Sequence, residues 1–273
     1  MAKRERSASE LYHDRVAGIY DGMYEGSAYW DIYFTVTWRH MRRFLPRTKG
    51  ARILDVGCGT GRWGLKLIEA GYHVDFLDIS QKMLDQVSNR LDRTPPPYEV
   101  RLIHADLSDL SGVDEPLYDA IIGQGDPLSH AESPQAALQG MTALLAPGGI
   151  MIQSVDNRIA AIDHAADAAD ITALEHFLAD GRTQWLTDRT EERFAVTTFT
   201  PDGLRALFGQ HGYEPLSLIG KTILPLRKCE KAGATALFER RDDVIRIEES
   251  LHAVEAMLGR AGHLEIAARK TPQ

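Results

Sequence analysis

Cysteine is nearly missing: Cys58 and Cys229, separated by most of the chain, are the only two in 273 residues. Two thiols that far apart offer neither a disulfide framework nor a Cys-based zinc site, so a reducing cytoplasm is the expected compartment and no metal is expected. No apolar run approaches the ~20 residues that a membrane-spanning helix needs. The basic opening Met1 to Arg6 leads into Ser7-Ala-Ser-Glu10, not an apolar segment, which argues against a signal peptide or membrane anchor. Positive charge is in deficit as well: 31 Lys and Arg against 39 Asp and Glu leave a formal net charge of -8. Nothing in that balance draws the chain toward nucleic acid or anionic lipid. Internal repeats and low-complexity linkers are absent too.

What is present suffices for one elaborated domain, with 44% of residues hydrophobic. Residues 9 to 45 are rich in aromatics and read as two or three short helices broken near Gly22 and Gly26. From Arg52 onward, short apolar runs alternate with amphipathic stretches, the pattern of a parallel sheet built from βαβ units. Strands are expected at Arg52 to Val56, Val74 to Leu77, Glu99 to Ile103, Tyr118 to Ile122 and Gly149 to Val155. Helices fit residues 62–70, 80–92 and 133–145. Residues 157 to 196 break the rhythm with an Ala- and Asp-rich stretch and a polar segment, read as a cap. A helix to about Gln210, a strand at Glu214 to Ile219, a helix at 242–258 and a last strand at His263 to Ala268 close the chain. The fold class is therefore α/β, Rossmann-like and doubly wound, with ligands at the carboxyl ends of the strands. The chain divides into helices at 1–50, a core at 51–156, a cap at 157–199 and a completion of the sheet at 200–273.

The most informative segment is Ile53-Leu-Asp-Val-Gly-Cys-Gly-Thr-Gly-Arg-Trp-Gly64, a strand running into a glycine-rich turn that opens a helix. Glycines let the backbone turn sharply and approach a ligand, and the helix amino end offers free N–H donors. The spacing Gly59-x-Gly61-x-x-Gly64 also matches the dinucleotide fingerprint of NAD enzymes. Asp55 opposes that reading, because an acid beside the turn repels a pyrophosphate and attracts an ammonium group. Asp78, at the end of the second strand, can accept both ribose hydroxyls of any nucleoside ligand.

These residues, with Leu77-Asp-Ile-Ser-x-x-Met-Leu84, His104-Ala-Asp-Leu107, Tyr118-Asp-Ala-Ile-Ile122 and Leu145-Ala-Pro-Gly-Gly-Ile150, resemble the class I S-adenosylmethionine-dependent methyltransferases of the small-molecule type. The resemblance implies a seven-stranded sheet with one reversed strand and S-adenosyl-L-methionine as cofactor. It places Asp55, Gly57, Cys58, Gly59 and Gly61 at the methionine end, and Asp78 at the ribose. Ile79 or Met83 falls on the adenine face, with Asp106 and Leu107 at the adenine edge. It also implies that the helices before the first strand form a lid, in which Tyr20, Tyr24, Tyr29 or Trp30 can face the sulfonium.

In that family the loop Gly123-Gln-Gly-Asp-Pro-Leu-Ser-His-Ala-Glu132 lies between the methyl group and the acceptor, which makes Gln124, Asp126, Ser129 and His130 site candidates. His130 is the natural candidate for a general base, since its ordinary pKa is near neutrality. Asp126 and Tyr20 complete the catalytic candidates, and Asn157 and Arg158 are candidates for acceptor contacts, Arg158 through a substrate carboxylate or else paired to Asp156 or Asp163. The loop lacks the second proline and the aromatic with which DNA-amino methyltransferases hold a flipped base. The basic cluster Arg39, His40, Arg42, Arg43, Arg47 and Lys49 could suggest RNA, yet reads better as a solvated helix face. A small-molecule acceptor, no nucleic acid and no membrane are thus the expected partners, and the Ala-rich cap helix could serve a homodimer. An enzyme of the same fold that uses the aminocarboxypropyl chain of the cofactor, a nucleic-acid methyltransferase, a nicotinamide oxidoreductase and a non-catalytic binding module are the competing readings.

Overall fold

The computed structural model describes residues 6–113, 117–167, 169–185 and 187–272. The chain opens with α1 (Ala8–Val16), a 3-10 turn at Asp21–Met23, and α2 (Ala28–Met41). Ser7 and Ser27 start the two helices by accepting the N–H groups of Glu10 and Trp30, donors with no partner inside the helix. Strands and helices then alternate: β1 (Arg52–Val56), α3 (Arg62–Glu69), β2 (His73–Asp78), α4 (Gln81–Arg93), β3 (Leu102–His104), β4 (Tyr118–Gly123), α5 (Pro127–His130), α6 (Pro134–Leu144) and β5 (Leu145–Asp156). After β5 come α7 (Arg158–Asp167), α8 (Ile171–Asp180) and a small hairpin of β6 (Arg182–Gln184) with β7 (Ala195–Thr197). The chain ends with α9 (Pro201–Gln210), β8 (Tyr213–Lys221), α10 (Leu226–Lys231), α11 (Thr235–Glu239), α12 (Arg241–Leu251) and β9 (His263–Lys270).

The main sheet has seven strands in the order β3-β2-β1-β4-β5-β9-β8, parallel except for β9, which runs against both neighbours. This is the seven-stranded, singly reversed sheet that the resemblance implies. Its central strands are apolar almost throughout because both faces are covered. Leu54, Ile121 and Met151 pack to one side with α6 and α9, and Ile53, Phe76 and Ile152 to the other, against Trp63 and Leu67 of α3 and Leu84 and Val87 of α4. Chain order reverses between β1 and β4, and the crevice there opens at their carboxyl ends.

Three local expectations change. β3 begins at Leu102, not Glu99. The long last helix stops at Leu251 and passes into a 3-10 turn at Glu255–Arg260. Residues 222–240, given no element from sequence, hold α10 and α11, and Leu226 of α10 is buried among Tyr29, Tyr33 and Val36 of α2. Helices this short owe their existence to such packing and not to propensity, which is why the sequence pattern is silent about them. Among the described residues no helix is long and apolar enough to cross a membrane.

Candidate active site

β1 delivers Asp55 to the mouth of the crevice, and the chain turns through Gly57, Gly59 and Gly61 with φ of 58°, 53° and 87°. A Cβ on Gly57 would sit 2.4 Å from Cβ of Pro127, so only glycine lets the turn pass the start of α5. Asp55 is 1% exposed, and one of its oxygens accepts the Gly64 N–H at 2.8 Å. Burial pushes its pKa up to about 8, and no cation pairs with it among the described residues. Asp78 accepts the N–H groups of Gly59 and Ser80, each at 2.8 Å. Its burial raises its pKa, partly offset by His13 and those two donors. The Cys58 thiol, buried beside both acids, is pushed up as well.

The amino-terminal segment lies over this loop. Asp14 of α1 accepts the Ser80 hydroxyl at 2.6 Å. Met83 is buried against Tyr12, Val16 and Ala17, so α1 covers the α4 side of the crevice. Asp21 takes the Thr60 hydroxyl at 2.8 Å and the guanidinium groups of Arg62 and Arg90. Tyr20 stands 3.6 Å from where a Gly59 Cβ would be, and its burial raises its pKa well above the usual, so the phenol keeps its proton. Arg15 grips Glu192 of the cap through two bonds of 2.6 Å, and Tyr12 meets Trp185, which stacks on Phe194.

On the other side of the crevice, β4 leads into Gln124-Gly125-Asp126. Asp126 has φ of 66°, the left-handed region, and is held there by the Ser154 hydroxyl and by Nδ1 of His263 at 2.8 Å. Against the effect of burial, this pairing keeps the Asp126 carboxyl well below its usual range and raises His263. Asp156, at the end of β5, has one oxygen 3.9 Å from His263 Nδ1 and the other 3.9 Å from His130 Nε2. Burial, with Asp126 adding to it, pushes Asp156 up to about 7. Burial lowers His130 to about 4, with His13 adding to it, so its imidazole is neutral near pH 7. His130 Nε2, Asp156 Oδ2 and Gln124 Nε2 are buried with no hydrogen-bond partner among the described residues. Buried polar atoms without partners are costly, and several grouped together mark a place for a polar ligand. Donor atoms of Asp126, Asp156 and His263 lie within 4.8 Å of one another, near enough for one cation, though the direct Asp126–His263 pair already balances their charges.

Beneath this group runs a fully buried chain of charges. Lys221 Nζ meets Glu265 at 2.9 Å and Gln124 Oε1 at 3.0 Å, and lies 4.9 Å from the centre of the Tyr33 ring. Glu265 also bonds His40 Nδ1 at 2.6 Å, while His40 Nε2 meets Ser217 at 2.9 Å. Lys221 and then His40 hold Glu265 down to about 2 despite its burial.

The remaining predicted site residues have partners of their own. Ser129 is fully buried and accepts the Asp156 N–H at 2.9 Å, a support for the end of β5. Asn157 donates to the carbonyls of Leu258 and Ala261 at 2.8 and 2.7 Å and accepts the Ile159 N–H. Arg158 pairs with neither Asp156 nor Asp163 but donates to the carbonyls of Asp180 and Thr198 at 2.9 and 3.3 Å. Asn157 thus ties the end of β5 to the turn before β9, and Arg158 ties it to the cap, while Arg158 Nε is buried without a hydrogen-bond partner among the described residues. Asp106 accepts the Ser108 N–H in a local turn, Leu107 is buried in the core, and the Ile79 carbonyl bonds His104 Nε2. Tyr24, Tyr29 and Trp30 belong to a run of rings that reaches Tyr33, whose centre is 5.5 Å from that of His263. His263, Lys221, Glu265 and Tyr33 were not foreseen as site residues.

Residues 53–149 match the family model of a methyltransferase domain. A ubiquinone biosynthesis O-methyltransferase of Dinoroseobacter shibae is 31% identical over 178 residues, 65% of this chain and 66% of that protein. A tRNA 5-carboxymethoxyuridine methyltransferase of Escherichia coli is 26% identical over 118 residues, 42% of this chain and 45% of that protein. The chain thus spans about 45 to 66% of the length of these two curated relatives. The solved CcbJ methyltransferase of Streptomyces caelestis has a TM-score of 0.61 at 15% identity, covering 98% of this chain and 99% of that one, a likeness of fold alone. With its glycine turn, its acids at the ends of β1 and β2, its sheet order and these matches, the chain belongs to the class I S-adenosylmethionine-dependent methyltransferases.

Proposed function

We propose that this protein transfers the methyl group of S-adenosyl-L-methionine in line to a nitrogen or oxygen atom of a small molecule enclosed between the glycine turn and the Asp126–His130 loop. When bound, the cofactor supplies a sulfonium methyl group, an electrophile that needs positioning more than activation. Two features fit it. Asp55 is a buried acid with a raised pKa and no cation, suited to an ammonium group, and the turn from Gly57 to Gly61 is a cradle that side chains would fill. Asp78 would take the ribose hydroxyls, Asp106 and Leu107 the adenine edge, and Met83 or Ile79 its face.

The observation that carries the acceptor reading is Asp156, held 3.9 Å from both His130 and His263 with an oxygen that lacks a partner. A carboxyl group whose pKa is about 7 is well matched to accept a proton at neutral pH. The base is therefore assigned to Asp156, because His130 at about 4 is too weak a base and serves better as a hydrogen-bonding wall. Asp126 stays ionised and fixes His263. With two carboxyl groups at this end, the acceptor is a hydroxyl or an amine, the latter entering as its ammonium form and losing a proton to Asp156 before attack, and not a carboxylate. The Arg15–Glu192 grip and the Tyr12–Trp185 contact close α1 over the cap, which favours a small molecule over a polymer, as does the kinship with a ubiquinone O-methyltransferase.

Thermal unfolding with S-adenosylmethionine, S-adenosylhomocysteine or NAD tests the cofactor, since a ligand at 100 times its dissociation constant adds about 2.7 kcal/mol. Stabilisation by the first two, lost in Asp78→Ala, is expected, and stabilisation by NAD alone would overturn the proposal. Turnover that yields methylthioadenosine in place of S-adenosylhomocysteine would move the chemistry to the aminocarboxypropyl chain, and methylation of RNA alone would refute the small-molecule acceptor.

A further inference from the structure

The basic cluster that precedes β1 does not act as one face. His40 turns inward to Glu265, and Arg39 pairs with Glu249. Arg43 and Arg47 instead line a cavity of about 490 Å³, together with Arg269 from β9. None of these three guanidinium groups has a hydrogen bond or ion pair from its side chain among the described residues. Acids are not scarce in a chain with 39 of them against 31 basic residues, and Arg15, Arg90, Arg101, Arg205 and Arg241 all find carboxylates. The single acid in the cavity, Asp119, is tied to the Arg52 N–H at 2.8 Å. Three guanidinium groups against one carboxylate leave the cavity with a net positive charge, which favours a ligand carrying more than one negative charge.

The cavity lies at the opposite end of the strands from the proposed methyl-transfer site. Arg269 pairs with Ile150 near the start of β5, and His263 pairs with Asp156 at its end. Six strand residues separate them, or about 20 Å at ~3.3 Å each. The volume falls in the range of about 300 to 1,000 Å³ common for small-ligand sites. Its guanidinium forks match phosphate oxygens, and Phe44, with the Arg43 guanidinium 5.8 Å from its ring centre, supplies an apolar surface for a planar group. We propose that this groove binds a phosphate-bearing small molecule of nucleoside-diphosphate size, independently of the methyl-transfer site.

Calorimetric titration with inorganic pyrophosphate and with uridine diphosphate tests this, since neither carries the adenine that the crevice would accept. Both should bind wild type, more weakly as salt rises toward 0.15 M. Charge-assisted bonds of this kind predict a loss of about tenfold or more in the Arg43→Glu, Arg269→Glu double variant. Arg93→Glu, a charge reversal on the exposed end of α4, should bind as wild type does, and circular dichroism should report an unchanged fold in both variants. Absence of binding to wild type, equal binding to the double variant, or binding of an RNA oligonucleotide with neither diphosphate bound would each overturn the assignment.

Discussion

The two walls of the crevice are built by different means. The wall at β1 and β2 is mostly main chain: a glycine turn within one stretch of sequence, and two carboxylates whose bonds go to N–H groups of Gly59, Gly64 and Ser80. The wall at β4, β5, β9 and β8 is mostly side chain, joining Gln124, Asp126, Ser154, Asp156, Lys221, His263 and Glu265 from strands far apart in the chain. A main-chain cradle suits a ligand that never changes, whereas a side-chain wall can be altered one residue at a time. Under the proposed function, the fold keeps its cofactor apparatus apart from the groups that would meet an acceptor.

The largest expected effect separates chemistry from cofactor binding. Asp156→Asn should lower kcat by about 100-fold or more, the ordinary contribution of a general base, with little change in S-adenosylhomocysteine affinity. In wild type, activity should rise with pH through about 7, as Asp156 passes to its carboxylate, and the variant should lose that limb. Retention of the limb would return the proton to another group and blur the division between the walls.

Next in size is a test of the buried charges beneath the acceptor wall. Glu265→Ala leaves Lys221 without its carboxylate in a site where both side chains are wholly buried, and should cost about 3–5 kcal/mol in urea unfolding. Lys221→Met with Glu265→Gln should recover most of that loss, because both charges are removed while the amide oxygen still serves His40 Nδ1. Equal losses in the single and double variants would mean that the wall depends on these charges themselves and not merely on their balance.

The same contrast explains what the sequence reveals. The strands up to β5, Asp55 and Asp78 could be placed because each sits beside its own glycines and apolar run. Glu265 looks like an outward-facing polar residue in the alternation His263-Leu-Glu-Ile-Ala267, yet β9 lies inside the sheet between β5 and β8, so both of its faces are covered. Lys221 follows Leu218-Ile-Gly and reads as the solvated end of a strand. Their partners, Gln124 and His40, are 97 and 225 residues away in sequence, beyond any local pattern. A charged residue within a strand flanked on both sides is the one signal that could have pointed to them, and it requires the strand order first.

A smaller loss, confined to the cofactor wall, is expected for Asp78→Asn. Removing a charged acceptor costs about 1.5–3 kcal/mol, or roughly 10- to 100-fold in affinity for S-adenosylhomocysteine. Unfolding should change less than in Glu265→Ala, since the amide oxygen can still accept one of the two backbone N–H groups. A large loss of stability would show that the carboxylate is as structural as the buried charges opposite.

Asp55→Asn differs in that its effect on the unliganded protein vanishes toward low pH. Asp55 has a pKa of about 8 when folded, against roughly 3.9 in an unfolded chain. The folded state therefore holds a proton that the unfolded state releases. The corresponding stability is fully present below about pH 4 and is lost as pH rises toward 8. Asparagine cannot ionise and can still accept the Gly64 N–H, so the unfolding curves of variant and wild type should coincide near pH 4 and separate above it, with the variant the more stable. S-adenosylhomocysteine should stabilise wild type strongly and the variant weakly, since a ligand ammonium group would meet no carboxylate there. Parallel curves from pH 4 to 8 would mean that Asp55 is already ionised in the empty site, and that its charge is balanced by the glycine turn before any ligand arrives.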